Sequence, residues 1–221
     1  MNKEWANDNK TMQKQLNSKQ TFSDGIKTLL DLREKIFREL LRLKRELRAE
    51  DFYKMPFPTA NGYHSKTIAY SLWHIFRIED IVAHSLIRND NEIFLKYDYQ
   101  NRIKASIITT GNELRGQQIE EFSQKLDLEQ LYEYAQQVKQ STDDLLSHLT
   151  FANMKKKFDC RDKIRLHASN EVSSDENAAW LIDYWCKKDI RGLVKMSFSR
   201  HWIMHAEACL RIEERINKQK A

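Results

Sequence analysis

Near its C-terminal end the chain reads Arg200-His201-Trp202-Ile203-Met204-His205. On a helix, four residues advance about 400°, so His201 and His205 project from one face, one turn apart, where two imidazoles can converge on one metal ion. The composition of that face matters more than the spacing. Steps of three and four along it give Val194, Phe198, His201, His205, Ala208 and Ile212. The pair therefore sits in an apolar stripe and is expected to point into the core. A buried imidazole needs a partner for its polar nitrogens. Two of them in one stripe require a metal ion, a water cluster or carboxylates, or else they are structural histidines in a partly wet pocket.

A third ligand is available in Leu72-Trp73-His74-Ile75-Phe76. The helical neighbours of His74 are Tyr70, Ser71, Ile78 and Ile81, mostly apolar or small, so it too can look inward. One histidine from this helix and two from the last make a three-histidine site with open positions, the catalytic rather than the structural arrangement of a divalent metal. The plainer alternative for His74 is a core histidine bonded to a backbone carbonyl or a tyrosine. His64 precedes this helix and is placed to line a pocket mouth. His84, His148 and His167 have polar neighbours and read as surface groups. No Glu-x-x-His occurs, which disfavours a di-iron carboxylate bundle, and no His-Glu-x-x-His occurs, which excludes a zincin protease. Glu79, Asp80 and Glu207 lie near the ligands in sequence but read as solvated helix charges. Tyr70, Trp73 and Trp202 either wall a pocket or pack in the core. Cys209 follows His205 by one turn; Cys160 and Cys186 are remote. An odd number of cysteines without framework spacing points to a reducing cytoplasm, with all three as small buried or surface thiols.

The elements that must hold these residues are helices. Among 221 residues there are 5 Gly and 2 Pro, where average usage gives roughly 15 and 11. Turn-rich β folds need more, and no P-loop or dinucleotide-binding glycine motif is present. The expected architecture is all-α, one four-helix bundle with helical inserts in its linkers. The first helix runs from about Asp24 to Glu50, on the stripe Leu29, Leu32, Ile36, Leu40, Leu43 and Leu47. Met55-Pro56-Phe57-Pro58 ends it. The His74 helix runs from near Ser65 to Asn89-Asp90-Asn91. A linker over 91–126 holds one or two short helices. The third helix carries Leu128, Leu131, Ala135, Val138, Thr142, Leu145 and Leu149. An exposed excursion follows from 150, with Lys155-Lys156-Lys157 and a capping box at Ser173 and Glu176 ahead of a short helix bearing Trp180, Leu181, Tyr184 and Trp185. The last helix spans about Ile190 to Asn217. Residues 1–22 are polar and read as a mobile arm or weak helix, with 23–221 as a single domain. No apolar run approaches the roughly 18 residues of a membrane span, and the N-terminus lacks the apolar core of a secretory signal.

The three ligand positions together carry a resemblance. Thr67-Ile68-Ala69-Tyr70-Ser71-Leu72-Trp73-His74-Ile75 resembles the first metal-ligand helix of the DinB-like superfamily, which includes bacillithiol- and mycothiol-dependent transferases, and His201/His205 resembles the pair on its last helix. The helix order over residues 23–216 is similar as well. The resemblance implies a four-helix bundle, a divalent metal such as zinc or nickel on His74, His201 and His205, and a homodimer. Two departures bear on the substrate: Ala206-Glu207-Ala208 follows the pair, and the 150–190 excursion is long and carries two tryptophans. Two reactions fit a small-molecule substrate at such a site, transfer of a low-molecular-weight thiol and metal-assisted hydrolysis, and the resemblance favours the thiol. The alternative is a non-enzymatic helical module binding nucleic acid or a protein, using Lys155–Lys157 and Arg33, Arg38, Arg42, Arg45 and Arg48. The net charge of +5 gives that alternative little weight, because these arginines are interleaved with Glu34, Glu39, Glu46 and Glu50 in an intrahelical pairing pattern.

Overall fold

The structure, a computed structural model, describes residues 2–220. Among these residues the chain is helical, with no strand and one isolated bridge between Lys157 and Asp189. Helix α1 (Lys3–Gln15) forms where the polar composition suggests a mobile arm or a weak helix. Asn2 caps it by accepting from the backbone N–H groups of Glu4 and Trp5. The dilute stripe Trp5, Met12 and Leu16 is buried and packs α1 along α2 (Phe22–Glu46). Gly25 permits that approach, since a Cβ there would lie 2.8 Å from Leu16 Cδ2.

Helix α3 (Ile68–Asp80) starts at Thr67, whose side chain accepts from the Tyr70 N–H. It runs on as a π-helical stretch, Ile81–Arg88, and stops at Asn89, which takes the left-handed conformation at φ 59°. The middle linker holds three short helices rather than one or two: α4 (Ile93–Lys96), α5 (Tyr99–Ile103) and α6 (Gln117–Lys125). Helix α7 (Leu128–His148) is capped by Asp127. The excursion contains α8 (Cys160–Ala168) and α9 (Glu176–Cys186). It is anchored rather than simply exposed, because Met154, Leu166 and Val172 are buried. The cap of α9 is Asp175, which accepts from the Asn177 N–H, and not Ser173, whose hydroxyl instead accepts from the Asp175 N–H. Helix α10 (Ile190–Lys195) passes through a π turn, Met196–Arg200, into α11 (His201–Lys220).

Helices α2 and α3 each pack against both α7 and α11. Across the middle, Phe37 of α2 meets Phe76 of α3 edge-on at 6.0 Å. The apolar core falls into two clusters. On α2 the break falls between Leu29 and Leu32, on α3 between Phe76 and Ile78, on α7 between Val138 and Leu145, and near α11 between Phe198 and Trp202. The residues at these breaks form a layer of buried polar groups that includes Arg33, Arg77, Glu79, Thr142, Ser199 and His201. No helix among the described residues is long and apolar enough to cross a membrane.

Candidate metal centre

His74, His201 and His205 meet at one side of this layer. Their ring centroids lie 5.0 Å (His74–His201), 4.8 Å (His74–His205) and 4.6 Å (His201–His205) apart. One nitrogen of each lies within 4.8 Å of the others. The three are 6%, 7% and 4% exposed, so the inward orientation expected from the stripes is the one observed.

Each imidazole is positioned by a neighbour the local pattern does not announce. His74 stacks on Tyr70, at 5.5 Å between centroids and 13° between planes. Its Nδ1 lies 2.7 Å from the carbonyl oxygen of Thr110. A carbonyl only accepts, so Nδ1 carries the proton and Nε2 keeps its lone pair for a ligand. The loop that presents Thr110 turns at Gly111, φ +80°, and the Tyr70 hydroxyl donates to the Gly111 carbonyl at 2.8 Å. Gly111 has little room for a side chain, because a Cβ would lie 3.1 Å from the Tyr70 ring. His201 comes directly after the π turn, its amide bonding back to the Met196 carbonyl. Arg33 Nη1 donates to the Phe198 carbonyl at 3.2 Å within that turn. Single π turns inside helices occur often at functional sites.

Burial holds all three imidazoles neutral. His74 is lowered to about 4, by burial first and then Lys66, against the raising effect of the Thr110 carbonyl. His201 and His205 lie well below the usual histidine range, again from burial and then from the neighbouring histidines. Neutral imidazole is the metal-binding form. Nδ1 of His201 and Nδ1 of His205 are buried with no hydrogen-bond partner among the described residues, which costs roughly 1–3 kcal/mol for each such group. The donor set fits a divalent metal of borderline softness.

The triad opens into a cavity of about 400 Å³. Its walls are mainly apolar and aromatic, with Tyr63, Tyr70, Trp180, Tyr184 and Trp185 among them. Helix α9 supplies the last three, so the excursion forms a wall of the site. Trp180, 50% exposed, stands edge-on to Tyr184 at 5.6 Å. Of the three aromatic residues weighed from the sequence, only Tyr70 lines the cavity. Trp73 and Trp202 lie in the core. His64 sits beside Tyr63, 4.2 Å between centroids, and lines an adjacent depression with Glu207 and Arg211.

Several sequence expectations need correction. His84 is not a surface group. It is buried, with Nδ1 2.6 Å from Asp90 and Nε2 3.0 Å from Ser141; His148 and His167 are exposed as expected. Glu79 and Asp80 are not solvated but fully buried. Glu79 receives two bonds from Arg33, 2.7 and 2.9 Å, and one from Trp202 Nε1 at 2.6 Å. Asp80 accepts from the backbone N–H groups of Ile93 and Phe94 and from the Tyr134 hydroxyl. Neither carboxylate bonds to His74, His201 or His205. Glu207 is half-buried and accepts from the Asn2 N–H. Cys209 is buried and its thiol is pushed up to about 12 by burial, which removes it as a nucleophile. Arg38 and Arg42 pair with Glu34, Glu39, Glu46 and Glu213.

Two groups went unnoticed in the sequence. Lys66 lines the cavity. A second buried cluster joins Arg77, Glu92 and Glu171. Arg77 donates to Glu92 at 2.5 Å and to the Ile108 carbonyl at 2.6 and 3.0 Å. Ser85 Oγ lies 3.0 Å from Glu92 and 3.1 Å from Glu171. Partners so far apart in the chain leave no local signature. No protein-family model matches the chain, and none of the curated proteins matches it significantly.

Proposed function

We propose that the chain is a divalent-metal enzyme of DinB-like type, a four-helix bundle of α2, α3, α7 and α11 that holds one zinc or nickel ion on His74, His201 and His205. The observation that carries this reading is the convergence of three buried, neutral imidazoles, two of them with partnerless nitrogens. The order of the ligand helices, similar to that superfamily, supports it further.

When bound, such an ion supplies a Lewis acid that lowers the pKa of a coordinated water or thiol. The residues around it do the rest. Thr110 fixes the tautomer of His74. The aromatic walls limit water and strengthen electrostatic interactions inside the cavity. No Asp or Glu lines the cavity among the described residues, so it offers no carboxylate general base for hydrolysis. Transfer of a low-molecular-weight thiol to a small electrophile, in which the sulfur forms the new bond, the electrophile's leaving group departs with its electron pair and the thiol proton passes to solvent or to that leaving group, is favoured by the resemblance over hydrolysis of an amide or ester. The three free cysteines are consistent with work in a reducing cytoplasm. The reading includes a homodimer, which sedimentation velocity tests.

Elemental analysis of protein purified without a histidine tag tests the metal. The expected result is about one divalent ion per chain, lost in His201→Ala and His205→Ala. Protein that carries no metal and takes up neither zinc nor nickel refutes the proposal.

A further inference from the structure

Among the described residues the cavity is lined by one ionisable side chain besides the triad and the tyrosines, and it is a cation with no ion pair. Lys66 stands at the cavity wall, half-buried, with its ammonium 4.9 Å from the centroid of the Tyr70 ring. Among the described residues Lys66 makes no hydrogen bond and no ion pair. Its position adds to the anomaly. It directly precedes Thr67, the cap of the 13-residue helix α3, where the helix dipole is positive and disfavours a cation. The nearby charge, Arg115, is also positive and lowers the Lys66 pKa after burial does. Asn112, whose Oδ1 accepts from Thr110 Oγ1, also lines the cavity. The remaining surface is largely apolar and aromatic.

We infer that the cavity takes a small monoanion with an apolar body, an aryl- or acyl-carboxylate, with Lys66 as its counter-ion. This rests on the proposed function for the cavity being the working site, but it does not depend on the metal. A carboxylate gains a charge-assisted bond to an ammonium that has none, and the ring or chain gains the aromatic wall. The volume, about 400 Å³, lies in the range of small-molecule sites.

The test is isothermal titration of the full chain, stripped with EDTA, using 4-phenylbutyrate, 4-phenylbutanol and 4-phenylbutylamine, which share one body and differ in head group. The carboxylate is expected to bind about tenfold or more tightly than the alcohol, with the amine weakest. Lys66→Met should erase the preference while leaving alcohol affinity within about twofold, and Lys66→Arg should keep it. The parent protein with the three probes tests the idea even if a variant fails to fold. Equal affinity for carboxylate and alcohol, no binding of either, or a preference that survives Lys66→Met overturns the inference. Repeating the titration on zinc-loaded protein separates it from the metal reading. A preference that appears only with zinc and ignores Lys66→Met overturns the role of Lys66 and supports the metal. A Lys66-dependent preference in a chain that takes up no metal supports Lys66 and refutes the metal.

Discussion

At Arg33 the guanidinium nitrogens all have acceptors: Nε bonds to Asp143, Nη1 to Glu79 and the Phe198 carbonyl, and Nη2 to Glu79 again. Three residues beyond Phe198 begin the two histidines whose Nδ1 atoms have none among the described residues. Both sets lie in the layer that divides the core, and both are almost wholly buried. The first is charged, and a buried charge survives only when it is paired and hydrogen-bonded. The second is neutral, which lets it stay buried while incomplete. The difference separates a set whose bonds hold the fold from a set that we propose a metal ion completes. Arg33 also joins the two, since its bond to the Phe198 carbonyl braces the turn from which His201 and His205 emerge.

The largest expected effect comes from breaking the complete set. Glu79→Ala leaves Arg33 with half its carboxylate partners and Trp202 Nε1 without an acceptor, and should destabilise the chain by about 3–5 kcal/mol. Urea unfolding measures it, and a loss under about 1 kcal/mol would mean that the layer does not hold the fold together. Completing the other set should do the reverse. Zinc at about one hundred times its dissociation constant should stabilise by about 2.7 kcal/mol, a rise in thermal midpoint of about 5–10 °C for a chain of this size. In His201→Ala or His205→Ala the rise should vanish, while the metal-free variants stay within about 1 kcal/mol of the parent, because each loses a group that was already unsatisfied.

Gly111→Ala probes the support of His74. A side chain at φ +80° costs about 1–2 kcal/mol and displaces the loop that presents Thr110. Zinc affinity should fall roughly 10–100-fold, the usual price of a lost supporting bond to a ligand histidine. Unchanged affinity would show that Thr110 does not orient His74. The smallest effect concerns Glu171, the incomplete member of the otherwise paired Arg77 cluster. Its Oε2 is buried without a partner, and burial and then the Glu92 carboxylate raise its pKa from 4.5 to about 9. The folded state therefore holds this proton where the unfolded chain has released it, so stability falls as pH rises from about 4.5 toward 9. Glu171→Gln should flatten that decline and leave the variant more stable than the parent at pH 8. A pH–stability curve that keeps its slope in the variant assigns the decline to other groups.

Much of this was legible in the chain. The stripe Val194, Phe198, His201, His205, Ala208, Ile212 is buried as its spacing requires. His74 joins the pair from the helix expected of it. Legibility fails where partners are distant in sequence. Glu79 and Asp80 look like ordinary helix charges because Arg33 is 46 residues from Glu79 and Tyr134 is 54 from Asp80. His84 looks like a surface group for the same reason, since Ser141 lies 57 residues on. The three-residue stripe of α1 is too sparse to outweigh the Asn, Gln and Lys around it, yet it is enough once α2 offers Gly25.

The sequence by itself determined the helical class, since a chain with so few glycines and prolines cannot make many tight turns, and it placed His201 and His205 on an inward face, with His74 able to join them, because periodicity assigns helix faces. Tertiary structure decided how they are used. The Thr110 carbonyl, the π turn braced by Arg33, the aromatic wall from α9 and Lys66 at the cavity wall all depend on groups brought together from distant parts of the chain. A local pattern fixes which way a side chain points from its own helix, but only packing fixes what it meets there.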